Sequence, residues 1–144
     1  MRSELPYIDT HTVTVAAASE EAFDVVAGAM PGAGSRGPFS VYARLVGCEG
    51  GKAFSVAASQ RPAELVLTGG HRFSQYELAF EFAPRGSGAT VVSATTHAAF
   101  PGIGGRLYRA AVIGSGGHRL AMKAMLAGIK RRAERGSCED RAGR

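Results

Sequence analysis

Arg72, Tyr76 and His118 are the polar side chains of this sequence best suited to act on a small organic molecule. Arg72 shares strand parity with Tyr76 and Phe80, so on an internal face its planar guanidinium can pair with a carboxylate or enolate. It can equally reach solvent or a structural acid at the strand end. Tyr76 can donate a hydrogen bond to a carbonyl, or be satisfied within the protein. His118 follows Gly116-Gly117, where an imidazole can face a cavity as general acid or base, or bond a carbonyl left free by an interrupted helix.

Other chemistries are poorly supported. His11 and His97 are read on strand faces that otherwise carry threonine or serine, and His71 in a turn. No two histidines show metal-ligand spacing, so neither a metal nor a cofactor is expected. Cys48 and Cys138 form no metal pattern and no disulfide framework. Gly102-Ile103-Gly104-Gly105 and Gly114-Ser115-Gly116-Gly117 match neither a phosphate loop nor a dinucleotide fingerprint. Gly114-Ser115-Gly116 also lacks the spacing of a serine elbow.

The elements that must position these groups follow from periodicity. Alternation predicts a strand over His11–Ala17. Ser19, as N-cap, with Glu20 and Glu21 in the first turn, predicts a helix over Ser19–Ala27. A Gly/Pro loop from Met30 to Pro38 leads to a strand over Phe39–Leu45. Further strands are expected over Ala53–Ser59 and Glu64–Thr68, with a bend at Gly69-Gly70, and over Ser74–Phe82 and Ala89–Phe100. Pro101-Gly102 opens about 30 residues of helical periodicity reaching Arg135, broken near Gly114–Gly117 because each glycine costs up to about 1 kcal/mol relative to alanine. Residues 136–144 read as a flexible polar tail, leaving one domain over 1–135.

With the faces assigned this way, Tyr76, Leu78, Phe80, Phe82, Thr96 and Phe100 point inward, and Met122, Met125 and Ile129 close over them. That set makes either an apolar ligand-binding chamber with a few polar points or a simply filled core.

The 144 residues carry a net charge of +5, 45% hydrophobic and 20% charged residues, an ordinary globular balance. No apolar run reaches the roughly 18 residues of a membrane span, and the N-terminus lacks a signal peptide's apolar core; the expected location is cytoplasmic. Eight of the 17 Lys and Arg residues fall between Arg106 and Arg135, where Glu134 is the only acid. Such a helix can meet nucleic acid or anionic lipid, or present a solvated basic face. Without aromatic interleaving or a recognition-helix turn, nucleic acid is not an expected partner. Monomer and homodimer both remain open.

Leu67-Thr68-Gly69-Gly70-His71-Arg72-Phe73 with the strand Tyr76–Phe82, the run Ala94–Gly102, Gly105-Arg106-Leu107-Tyr108-Arg109, Gly117-His118 and Met125-Leu126 resemble the START-like, or SRPBCC, superfamily. That superfamily includes polyketide cyclases, lipid-transfer domains and the birch-pollen allergen. The resemblance spans roughly residues 8–135. It implies an α+β helix-grip fold, a curved antiparallel sheet of about six to seven strands wrapped around a long C-terminal helix. The usual pair of short helices after the first strand is abbreviated here, and no universal catalytic motif carries over. The implied function is binding of a small hydrophobic ligand (lipid, polyketide or aromatic compound) between sheet and helix. The alternative is an enzyme of the polyketide cyclase/dehydratase type using polar groups in that space.

Overall fold

The computed structural model describes residues 3–30 and 54–143; the loop and strand expected between them, with Cys48, lie outside the described residues. The described chain runs β1 (Tyr7–Val15), α1 (Ser19–Ala29), β2 (Ser55–Gln60), β3 (Glu64–His71), β4 (Ser74–Arg85), β5 (Ala89–Ala99), α2 (Gly102–Arg109), a π-helical turn (Ala110–Gly114) and α3 (Gly117–Ala142). Among the described residues the sheet has five antiparallel strands in the order β1-β5-β4-β3-β2, against the six to seven expected. The strand expected over Phe39–Leu45 is not among those described.

β4 and β5 form the spine of the sheet because their alternation is the cleanest in the chain. Leu78, Phe80 and Phe82 point inward with Val92, Ala94 and Thr96, all buried. The bend expected at Gly69-Gly70 is absent: both glycines continue β3 and pair with Tyr76 and Gln75, so the turn falls at Arg72-Phe73. A ladder partner on β4 overrides the local preference of glycine for turns.

α1 also starts differently from its expected cap. Ser19 is inside the helix and buried, its hydroxyl 3.3 Å from the Thr90 hydroxyl, while Glu21 reaches back to accept from the Ala18 N–H at 3.2 Å. Thr90 in turn donates to the Ala17 carbonyl at 2.8 Å. These bonds tie the strand-to-helix corner to β5. Phe23 then meets Phe82 with ring centroids 5.4 Å apart.

α3 presents Met122, Leu126, Ile129 and Ala133 at helical spacing to one apolar core shared with β1, α1 and the inner sheet face. Near Ala133 it is fastened to the end of β1. Lys130 donates to the Thr14 carbonyl at 2.9 Å, and Glu134 accepts from the Ala16 N–H at 3.0 Å. The residues read as a polar tail are the last turns of this helix, with Ser137 buried and Cys138 exposed.

α2 lies close against the end of β5. A Cβ built on Gly105 would stand 2.6 Å from the Phe100 carbonyl carbon and 2.9 Å from its oxygen. Gly105→Ala is therefore expected to destabilise the protein by about 1–3 kcal/mol despite alanine's better helix propensity. Gly128→Ala in α3 meets only the far end of Arg131, 3.9 Å away, and is expected to stabilise by up to about 1 kcal/mol. Denaturant unfolding of both variants beside the wild type checks the opposite signs.

Candidate functional site

The inner face of β1 is apolar at one end and charged at the other. Val13 and Val15 pair with Val92 and Thr90, and the same face continues through His11, opposite Ala94, to Asp9, opposite Thr96. His11 thus belongs with the valines and not, as expected from sequence, with the threonines; strand parity settles this. His97 does lie on the outer face, opposite Tyr7 and Glu77.

The second half of the site comes from the start of α3. The chain leaves the π-helical turn, and the Ser115 hydroxyl donates to the Ala111 carbonyl and accepts from the Gly117 N–H at 3.3 Å. Gly116 then adopts φ +79°, a left-handed conformation that glycine takes without steric cost. With the broken helix served by Ser115, His118 is left to reach across to β1. Its Nε2 lies 3.1 Å from Asp9 Oδ1, while His11 Nε2 lies 3.0 Å from Asp9 Oδ2.

One carboxylate thus holds two imidazoles, with side chains only 16%, 18% and 17% exposed for His11, Asp9 and His118. An ionised carboxylate only accepts, so both Nε2 atoms carry hydrogens and donate, leaving each neutral ring its basic lone pair on Nδ1. Burial pushes the Asp9 carboxyl up, but the hydrogen bond from His11 and the charge and hydrogen bond of His118 outweigh it, and its pKa is held below the ordinary value. Beside the trio lies a cavity of about 280 Å³ lined by Ile8, Asp9, Ile113, Gly114, Gly116, His118 and Arg119. It joins two isoleucines to an acid, an imidazole and a guanidinium, a lining suited to a small molecule with an apolar body and a polar or anionic group.

Of the three catalytic candidates, His118 lines this cavity. Arg72 is exposed in the β3–β4 turn. Tyr76 is half-buried in an aromatic group, 5.4 Å from Phe54 and 6.0 Å from His71 between ring centroids. The expected ligand-contact residues Leu78, Phe80, Thr96, Met122 and Ile129 are buried, and Met125 packs against the same core. Thr96 Oγ1 stands 4.0 Å from Met122 Sδ. Phe100 is half-buried, its ring 6.2 Å from Tyr108. The polar trio caps one end of this apolar seam, since Asp9 faces Thr96 across the sheet and His118 precedes Met122 by one helical turn.

His71 is a separate, structural histidine. Its Nδ1 accepts from the Phe73 N–H at 3.1 Å, so Nε2 carries the hydrogen that it donates to Ser74 Oγ at 3.0 Å, and Tyr108 packs edge-on at 4.8 Å. Burial pushes its pKa down. Among the described residues no group of three acidic, His or Cys side chains is arranged to hold a metal ion.

Asp9 and His11 escaped the sequence-based candidates. The available signal was Asp-x-His on the strand face that continues into Val13 and Val15: two polar groups at the end of an otherwise apolar face require partners. The identity of that partner, 109 residues away for Asp9 and His118, is not encoded locally.

Asp9→Asn, which leaves the two imidazoles a single acceptor, is expected to cost about 1.5–3 kcal/mol at neutral pH. Because the folded carboxyl titrates below its unfolded value of 3.8, this contribution is complete above that value and disappears as pH falls through the lower folded one. Denaturant unfolding at neutral and acidic pH should show wild type and variant converging in acid. For His71 the unfolded chain binds its proton near 6.5 and the folded chain only at lower pH. Its contribution therefore favours the fold fully above about 6.5 and is lost progressively below that; an NMR titration should place its midpoint under 6.5.

No family model matches the sequence, and no curated protein matches it. Solved structures do. A START superfamily protein from Mycobacterium smegmatis superposes with a TM-score of 0.52 at 14% identity, over 87% of this chain and 98% of its own. The Zhui aromatase/cyclase from Streptomyces sp. R1128 gives 0.52 at 14%, over 92% and 95%. A Thalictrum flavum norcoclaurine synthase point mutant in complex with a transition-state analogue gives 0.55 at 13%, over 94% and 99%. At these identities the likeness is one of architecture, and with the antiparallel sheet and long closing helix described above it establishes this chain as a protein of the START-like fold.

Proposed function

We propose that this protein binds a small hydrophobic molecule carrying a polar or anionic group, its apolar body directed toward the seam between the sheet and α3. The observation that carries this is the cavity beside Asp9 and His118, where Ile8 and Ile113 supply apolar wall and Arg119 a cation. At about 280 Å³ it takes a compact molecule of one or two rings, or the head and first carbons of a longer chain. Lipids, polyketides and aromatic compounds are the classes that fit this description. The protein's place is the cytoplasm, which accords with an exposed free thiol at Cys138.

A catalytic reading, of the cyclase or dehydratase type, is favoured by one feature only. Asp9 orients His118 at the cavity with a 3.1 Å bond, the relation between carboxylate and imidazole that makes a general base. It runs through His118 and Asp9, and leaves Arg72 and Tyr76 outside the site.

Titration with a fluorescent aromatic probe such as 1-aminoanthracene tests the binding proposal, with Ile113→Trp as the cavity-filling variant. The wild type should bind saturably and Ile113→Trp about tenfold more weakly or worse, the loss expected when an indole fills a pocket of this size. Absence of probe binding, or equal binding by the filled variant with an unchanged melting temperature, overturns it. If the site is catalytic, His118→Ala abolishes turnover of a polyketide-like substrate while probe binding persists.

A further inference from the structure

We propose that the outer face of α2 is a docking surface for anionic membrane lipid, a role separate from the cavity. α2 is amphipathic in an unusual sense, because its small and aromatic side packs inward. Gly105 is buried against Phe100, Gly104 lies 3.3 Å from the Phe73 ring, and Tyr108 stacks on Phe73 with centroids 6.0 Å apart. Ile103 and Leu107, four residues apart and on the opposite side of the helix, are 77% and 68% exposed. Two large aliphatic side chains directed at solvent on one short helix face call for a partner.

Charge selects that partner. Arg106 and Arg109 flank the apolar pair on the helix and are both exposed. The adjoining start of α3 adds Leu120, 71% exposed, between Arg119 and Lys123. No Asp or Glu occurs anywhere between Phe82 and Ala133, so the local field is positive without internal compensation. Aliphatic side chains ringed by arginines suit a bilayer interface, where the chains enter the acyl boundary and the guanidiniums meet phosphate. A second copy of the chain would have to bring these same cations together, which opposes self-association through this face. Among the described residues no helix is long and apolar enough to cross a membrane, so the contact is peripheral.

Co-sedimentation with vesicles tests this, using phosphatidylcholine alone and phosphatidylcholine mixed with phosphatidylglycerol, at low and high salt. The wild type should bind the mixed vesicles at low salt, lose most of that binding at high salt, and ignore the neutral ones. Ile103→Ser with Leu107→Ser, and separately Arg106→Glu with Arg109→Glu, should each weaken binding about tenfold or more. All four positions are solvent-exposed, and unchanged circular dichroism and melting confirm that the variants fold. Failure of the wild type to bind the mixed vesicles overturns the proposal, as does wild-type binding by either double variant. Concentration-dependent dimerisation by light scattering that the serine variant abolishes would assign the face to a second copy and overturn it equally.

Discussion

Everything in this molecule depends on one seam, where the apolar stripe of α3 meets the inner face of β1 and its neighbours. Met122, Leu126, Ile129 and Ala133 recur at the helical period, while Val15, Val13, Val92, Phe80 and Leu78 recur at the strand period of two. Two incommensurate repeats can stay in contact over this length only if both surfaces are continuous and close-packed. Lys130 and Glu134 secure one end of the seam to the backbone of β1 with hydrogen bonds. At the other end, apolar contact gives way to the Asp9 carboxylate and its two histidines. The same alignment that packs the core thereby fixes the position of the polar site.

This arrangement explains why a charged group is tolerated so near the core. Asp9 is neither solvated like a surface acid nor isolated like a buried one, since each carboxylate oxygen has its own imidazole donor. Removing a donor would leave an oxygen short of a partner, which is more costly than never having introduced the group. The trio is therefore structural as well as chemical, and its histidines are held in one tautomer by an acceptor that cannot donate. Arg119 and the two isoleucines of the cavity make the neighbouring space selective without closing it.

The sheet is legible in the sequence where each strand owes its pattern to burial on a single face. β4 and β5 alternate without interruption, and their periodicity alone identifies the residues that point inward. Where a partner strand and not the local sequence decides, periodicity misleads: Gly69 and Gly70 look like a bend but are held in the ladder by β4. Ser19 looks like a helix cap but spends its hydroxyl on Thr90, 71 residues away. The break before α3 is visible in its glycines, and so is the chemical interest of His118. Its acceptor is not visible, because periodicity describes how a residue faces its own element and says nothing of which distant side chain meets it. The parity of Asp9 and His11 with Val13 is the available clue.

The π-helical turn at Ala110–Gly114 has a consequence for the tolerance of this chain to length change. A π turn holds one residue more than an α turn can, so it works as a local insertion stored within the helix. Deleting a single residue there would let the turn relax to α geometry and rotate the start of α3 by about 100°. Glycine at position 116 would absorb part of that rotation, but the imidazole two residues later would no longer be aimed at β1. Point substitutions on the exposed side of this connection are cheap, whereas a one-residue deletion is a change of phase. Counting, rather than chemistry, is what keeps His118 opposite its carboxylate.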